Sequence, residues 1–186
     1  MVLPSSSYTR RFHNKRIERK RTPKRKVVTF KLGNTMWAIS IESVQRVLKE
    51  FRSYGTLASG RSLVNFDNEA IALVDLAQFF LGDSEEVRNY QYLIISTIEY
   101  VGGGDGGEKV ERLAIPIPQL PSILEVSEDK FETVPQIYRE GFEGAPTSGS
   151  PPEAIEKILH LPNGEIAFYL NLDVLIRPSQ ARVEGS

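Results

Sequence analysis

The feature that most constrains the fold is a series of short segments in which apolar and polar residues alternate. Val28, Phe30 and Leu32 alternate with Thr29 and Lys31, a Gly-Asn pair follows, and the alternation then resumes up to residue 41. A period of two is typical of a half-buried strand, and Gly-Asn favours a tight turn. The pattern over residues 27–41 therefore predicts a β-hairpin.

The rest of the chain repeats this pattern and offers only brief helical segments. Further strands are predicted over residues 69–74, 90–99, 108–117, 122–126, 154–161 and 165–170. A short helix, or a helical turn that leads into another strand, is predicted over residues 41–50, and helical turns are predicted over residues 76–81 and 171–176. Eight to ten short strands without a helix of ten residues favour an all-β barrel or a pair of small barrels. A strand at the centre of a sheet is not expected at Pro116, Pro118 and Pro121, because proline has no backbone N–H to donate.

Composition excludes several classes of function. The 186 residues are 40% hydrophobic, which is enough for one ordinary core, and they contain no cysteine and two histidines. Disulfide scaffolds, cysteine nucleophiles and Cys/His zinc sites are therefore excluded. No apolar run approaches the roughly 18 residues needed to span a bilayer, and the first residues lack the apolar core of a signal peptide. We expect a cytoplasmic protein without membrane insertion, cofactor, metal or small-molecule substrate.

No catalytic motif of the sequence stands in the structural context that its chemistry requires. Gly102, Gly104 and Gly107 match the dinucleotide-binding pattern, but a proline-containing strand follows where a helix is required, so a hairpin loop is the better interpretation. His160 has no obvious Ser or Cys partner, and we interpret it as a histidine at a barrel edge. Asp75 follows an apolar strand, where an acid more often caps the next turn than serves as a general base. We predict a binding module without catalytic residues.

Charge is segregated along the chain. Residues 8–26 hold ten Lys/Arg against one acid, Glu18, for a local charge of +9, while the other residues together carry −10. Such a segment has too few apolar groups to offset its ordering entropy, so we predict a disordered N-terminal tail over residues 1–26 and a domain from Val27. The tail forms an electrostatic arm that consists of Arg10, Arg11, Lys15, Arg16, Arg19, Lys20, Arg21, Lys24, Arg25 and Lys26.

Several motifs, taken in order, resemble the CheW-like domain family, the adaptors of bacterial chemosensory arrays. The opening V-V-T-F-K-L-G, W-A-I-S-I and V-Q-R-V lie in residues 27–47. Asn65, Asp75 and Leu76 match the family's stretch around N-L-R-G and P-V-V-D-L. The segments I-L-E-V at 123–126 and F-Y-L-N-L-D-V-L at 168–175 resemble the family's second half.

The resemblance implies two small five-stranded β-barrels packed around a shared apolar core, with one or two short helices and no catalysis. It predicts one CheW-like domain over residues 27–178, followed by a C-terminal tail over 179–186. It also implies an adaptor that bridges the cytoplasmic tip of a methyl-accepting chemoreceptor and a CheA-like histidine kinase. By analogy, the residues expected to bind partners are Ile39, Ile41, Val44, Arg46, Val47, Asn65 and Asp67, although Ile39, Ile41 and Val47 also fit a plain core role.

The chain departs from the family pattern in the sign of two charges. Arg46 stands where the family has Glu, and Asp67 stands where it has Arg. If the family's two residues face each other, Arg46 and Asp67 should form an ion pair with the signs exchanged. Such a pair on an accessible surface is worth only about 0 to 1 kcal/mol, so it would serve partner selection more than stability.

Two alternatives from other classes remain open. The basic arm, with Tyr8 and Phe12 among its cations, would suit a nucleic-acid-binding protein, but the remaining residues are acidic and show no aromatic stacking motif. We therefore do not expect nucleic acid as the partner. A small enzyme with a site at a barrel mouth is the other alternative, and no paired nucleophile and base supports it.

Overall fold

The computed structural model describes residues 22–57, 60–81, 89–101, 108–136 and 154–176. These residues form two short α-helices, α1 (Leu76–Leu81) and α2 (Leu172–Ile176), and 3-10 turns at Ile41–Ser43 and Glu128–Lys130. The described strands are β1 (Lys24–Leu32), β2 (Thr35–Ser40), β3 (Val44–Lys49), β4 (Ser53–Leu57), β5 (Arg61–Phe66), β6 (Glu69–Val74), β7 (Tyr92–Val101), β8 (Glu108–Ile117), β9 (Ser122–Ser127), β10 (Phe131–Thr133), β11 (Ile155–His160) and β12 (Ile166–Leu170).

The strands form two curled sheets of six strands each. Sheet A has the order β10-β11-β12-β2-β1-β9, and sheet B has the order β3-β7-β8-β6-β5-β4. Two pairings are parallel, β2 with β12 and β6 with β8. Sheet B is therefore built from one continuous stretch of chain, whereas sheet A combines the two stretches on either side of it.

Apolar residues separate into three clusters. One inner cluster lies within sheet A and includes Val27, Leu159 and Tyr169, and another lies within sheet B and includes Val64 and Phe66. The third and largest joins the two sheets, because it contains residues of both. This shared core includes Val28, Phe30, Leu32, Trp37 and Ile39 of sheet A and Val74, Ile94, Ile98, Leu113, Ile115 and Ile117 of sheet B.

The predicted fold class, an all-β pair of packed units around a shared core, is confirmed. The predicted hairpin forms β1 and β2, with Gly33 at a φ of 57°, and β6 and β8 have the predicted bounds. Each sheet has six strands rather than five. Three strands were not predicted: β4, which is irregular because a bulge lies between Tyr54 and Thr56; β5, in which the adjacent apolar residues Leu63 and Val64 break the alternation; and β10, which has only three residues.

Pro116 illustrates how a central strand tolerates proline. Strand β8 lies between β7 and β6, but β6 pairs only with Leu113 and Ala114. Beyond those residues β8 has β7 as its ladder partner, and Pro116 lies opposite Leu93. The proline, which lacks an N–H donor, therefore occupies the part of β8 that pairs on one side.

Strand β1 begins at Lys24, three residues before the predicted start of the domain at Val27. Lys24, Arg25 and Lys26 pair with residues of β9, so these three members of the basic arm belong to sheet A. They alternate between the two faces of an ordered strand, which a count of charges cannot reveal. The other members of the arm lie outside the described residues, as do the glycine loop at 102–107 and residues 177–186. The division into tail, domain and C-terminal tail stays a prediction.

Candidate functional site

The predicted partner-binding residues centre on β3, where a β-bulge sets the direction of the side chains. The register of β3 against β7 shifts between Val44 and Arg46. Because the bulge interrupts the alternation, Val44 and Val47 both pack against the shared core, although they are three residues apart. The three-residue spacing over residues 41–50 thus arises from a 3-10 turn and a bulged strand, which confirms the prediction of a turn that leads into a strand.

The apolar residues of the predicted site differ in their access to a partner. Ile39 is 0% exposed and lies in the shared core, so its side chain cannot contact a partner in this structure. Ile41, Val44 and Val47 are half-buried and pack on the edge of the same core. These three residues form what we call the β3 strip, an apolar surface that keeps part of its area open to solvent.

The three polar residues of the predicted site are exposed. Asn65 lies near the end of β5, and Asp67 lies in the turn to β6. Asp67 and Asn68 have φ values of 52° and 66°, as a two-residue turn between right-twisted strands requires, and Asp and Asn tolerate this conformation better than most residues. The predicted ion pair between Arg46 and Asp67 is absent from these described residues.

Arg46 instead lies over an aromatic ring of sheet B. Its guanidinium carbon is 5.8 Å from the centroid of the Phe66 ring, and the guanidinium carbon of Arg112 is 5.8 Å from the same centroid. Arg112 also pairs with Glu69, at 2.8 Å between Nη1 and Oε2. The sequence analysis missed Phe66, Arg112 and Glu69, because the parallel pairing of β6 with β8 brings them together and no local motif marks them.

Sheet A holds a comparable arginine, Arg25 of β1. Its Nε donates to Oε1 of Glu128 at 2.9 Å, and its Nη1 donates to the hydroxyl of Tyr169 at 3.4 Å. The guanidinium carbon lies 5.4 Å from the centroid of Phe131. The hydrogen bond to Tyr169, followed by the pairing with Glu128, raises the pKa of Arg25. Arg25 therefore anchors the start of β1 to the inner side of sheet A.

An open acidic groove lies where the two sheets meet. Its volume is about 500 Å³, and its carboxylates are Glu42, Glu99, Glu156 and Asp173, with no Lys or Arg among its described lining residues. A second groove of about 520 Å³ shares Ser40 and Glu42 with the first and is also lined by Lys24 and Lys26. The acidic groove was not predicted, since its members come from four separate parts of the chain.

Asp75 and His160, the two residues considered in the search for catalytic groups, each contact a polar group of a neighbouring segment. Asp75 Oδ1 accepts a hydrogen bond from the backbone N–H of Gln78 at 3.1 Å, which confirms that it caps α1, and also from the Tyr90 hydroxyl at 2.6 Å. His160 Nε2 lies 3.1 Å from Glu132 Oε2 at the β10–β11 edge. Within the described part of the chain, no three His, Asp or Glu side chains form a metal-binding group, and no helix is long and apolar enough to cross a membrane.

Together, the two curled sheets and the core that they share define a two-sheet β-domain. The comparisons with known proteins agree. The family model described as CheW-like domain matches residues 26–180, and the chain belongs to this family, whose members are non-catalytic chemotaxis adaptors.

A solved structure supports the fold. The scaffolding protein TtCheW from Thermoanaerobacter tengcongensis superposes with a TM-score of 0.61 at 17% sequence identity, over 84% of this chain and 95% of that one. No curated protein sequence matches the chain. The structural likeness extends over nearly the whole of the relative, so the two chains share the same fold.

Proposed function

We propose that this chain is a non-catalytic, cytoplasmic adaptor that bridges a chemoreceptor tip and a CheA-like histidine kinase. The family match over residues 26–180 carries the proposal, because the matched region contains both sheets and the shared core. A bridging role requires two separate surfaces on a rigid body. The shared core supplies the rigidity, since residues of both sheets pack in it.

The β3 strip and its polar neighbours form the proposed partner surface. Ile41, Val44 and Val47 offer partly exposed apolar area, which is the usual source of affinity in an interface. Arg46, Asn65 and Asp67 add exposed polar groups that favour one partner over another. Ile39 acts indirectly, because it packs beneath this surface in the shared core.

The test uses the full chain with the receptor tip and the kinase regulatory domain encoded in the same genome. We expect the wild-type chain to sediment with both partners together and to change the autophosphorylation rate of the kinase. Val44→Ser should weaken at least one of these contacts by about tenfold, which is typical of an interface anchor.

Ile166→Ser is the matched control, because Ile166 is 48% exposed on β12 of sheet A and is not part of the β3 strip. It should bind both partners as the wild type does. If the wild-type chain fails to bind the receptor tip, or fails to bind the kinase regulatory domain, the bridging role is wrong.

A further inference from the structure

Two arginines lie against the same ring at the end of the β5–β6 hairpin, and only one of them has an acidic partner. Phe66 is 5% exposed, and Arg46 of β3 and Arg112 of β8 approach it at equal distances. Glu69 neutralises Arg112 through the 2.8 Å pair. Arg46 makes no ion pair or hydrogen bond with any residue that the structure describes.

The guanidinium of Arg46 is placed so that its N–H donors can bind a ligand. Contact with an aromatic ring occupies the face of a guanidinium and leaves the N–H donors at its rim available. Arg46 is exposed and lies on β3, which among the described strands is an edge strand with β7 as its one neighbour. A group on another protein can therefore reach these donors from the open side of sheet B.

The charges around Arg46 favour one carboxylate over a polyanion. Arg112 is already paired, and the exposed Asp67 adds a negative charge in the adjoining turn. A nucleic acid backbone gains affinity from the neutralisation of several phosphates, which the acidic Asp67 and Glu69 at this end of sheet B oppose. A single Asp or Glu matches the fork of one guanidinium, with which it forms a bidentate pair.

We infer that Arg46 binds a carboxylate side chain on the protein partner of this adaptor, and that Phe66 positions the guanidinium for this contact. The inference rests on the proposed function and adds the chemistry of the partner at this point. Asp67 restricts the direction from which the partner's carboxylate can approach, because it repels an acidic group that comes from the turn side.

The experiment measures the affinity of the full chain for the receptor tip and for the kinase regulatory domain by calorimetry, with charge-matched variants. Arg46→Glu should weaken binding of one partner by about tenfold or more, since it replaces attraction by repulsion. Arg46→Lys, which keeps the charge and loses the fork, should weaken it by about threefold. Lys49→Glu changes the net charge by the same amount at another exposed position of β3, and it should change the affinity by less than about twofold.

Reversal of a single Asp or Glu of that partner to Arg should restore binding to Arg46→Glu. Melting curves of the variants must match the wild type, which separates a lost contact from a lost fold. If the wild type binds a partner and Arg46→Glu binds it no more weakly than Lys49→Glu does, the inference is wrong and the proposed function stands. If the wild type binds neither partner, both are wrong.

Discussion

The two sheets have the same number of strands but are assembled from the chain in different ways. Sheet B uses six consecutive strands, β3 to β8, whereas sheet A joins β1 and β2 to β9–β12 across that entire insertion. The parallel pair of β2 and β12 places Ala167 opposite Met36. Sheet A therefore needs long-range closure of the chain, and its first hairpin depends on the folded sheet B beneath it for much of its buried surface.

The first prediction separates the shared core from the inner cluster of sheet A. Ile115→Ala removes a 0% exposed side chain from the shared core, and Leu159→Ala removes one from the inner cluster of sheet A. Each should lower the free energy of unfolding by about 2–5 kcal/mol, through lost burial and a residual cavity. In hydrogen exchange, Ile115→Ala should reduce the protection of both sheets, and Leu159→Ala chiefly that of sheet A. Equal losses in both sheets for both variants would show that the two sheets unfold as one unit.

The second prediction tests where sheet A begins. Deletion of residues 1–26 removes Lys24, Arg25 and Lys26 from β1 together with the Arg25–Glu128 pair, and should lower the free energy of unfolding by about 1–3 kcal/mol. Deletion of residues 1–21 keeps β1 whole and serves as the control. Denaturant titration measures the free energy of unfolding of both truncated chains. Equal values would show that the folded domain starts at Val27.

The third prediction compares the arginines that lie on aromatic rings in the two sheets. Arg25→Ala should cost about 1 kcal/mol of unfolding free energy, because it removes a partly screened pair with Glu128 and the contact with Phe131. Arg46→Ala should cost less than about 0.5 kcal/mol, since only the ring contact is lost. A cost for Arg46→Ala as large as that for Arg25→Ala would make Arg46 a structural residue.

The smallest effect on stability is expected for the basic arm. Deletion of residues 1–21 should leave the melting temperature nearly unchanged, because this highly charged segment has few large apolar side chains to bury. If the arm binds an acidic protein surface, the partner affinity of the full chain should fall with salt more steeply than that of the truncated chain. Retention of random-sequence DNA by the full chain, with a log–log salt slope of several units that vanishes on truncation, would assign the arm to nucleic acid instead. Identical partner affinities at low salt would leave the arm without a binding role.

The sequence was a good guide where the physical signal is local. The alternation at Val28, Phe30 and Leu32, the Gly-Asn turn and the β6 and β8 segments predicted strands that the structure contains. The resemblance to CheW-like domains added the pairing of two units around one core. Local signals were weak at β4 and β10, where a bulge and a length of three residues leave no periodic pattern.

For the candidate site too, some properties follow from the sequence and others only from the tertiary structure. By itself the sequence determined which residues are apolar, charged or suited to a turn, because these properties belong to single side chains and their neighbours. The tertiary structure alone decided that Ile39 is core, that a bulge turns Val44 and Val47 to one side, and that Arg46 lies over Phe66. These outcomes depend on strand register and on contacts between distant segments, and a shift of one residue in register sends a side chain to the opposite face of a sheet.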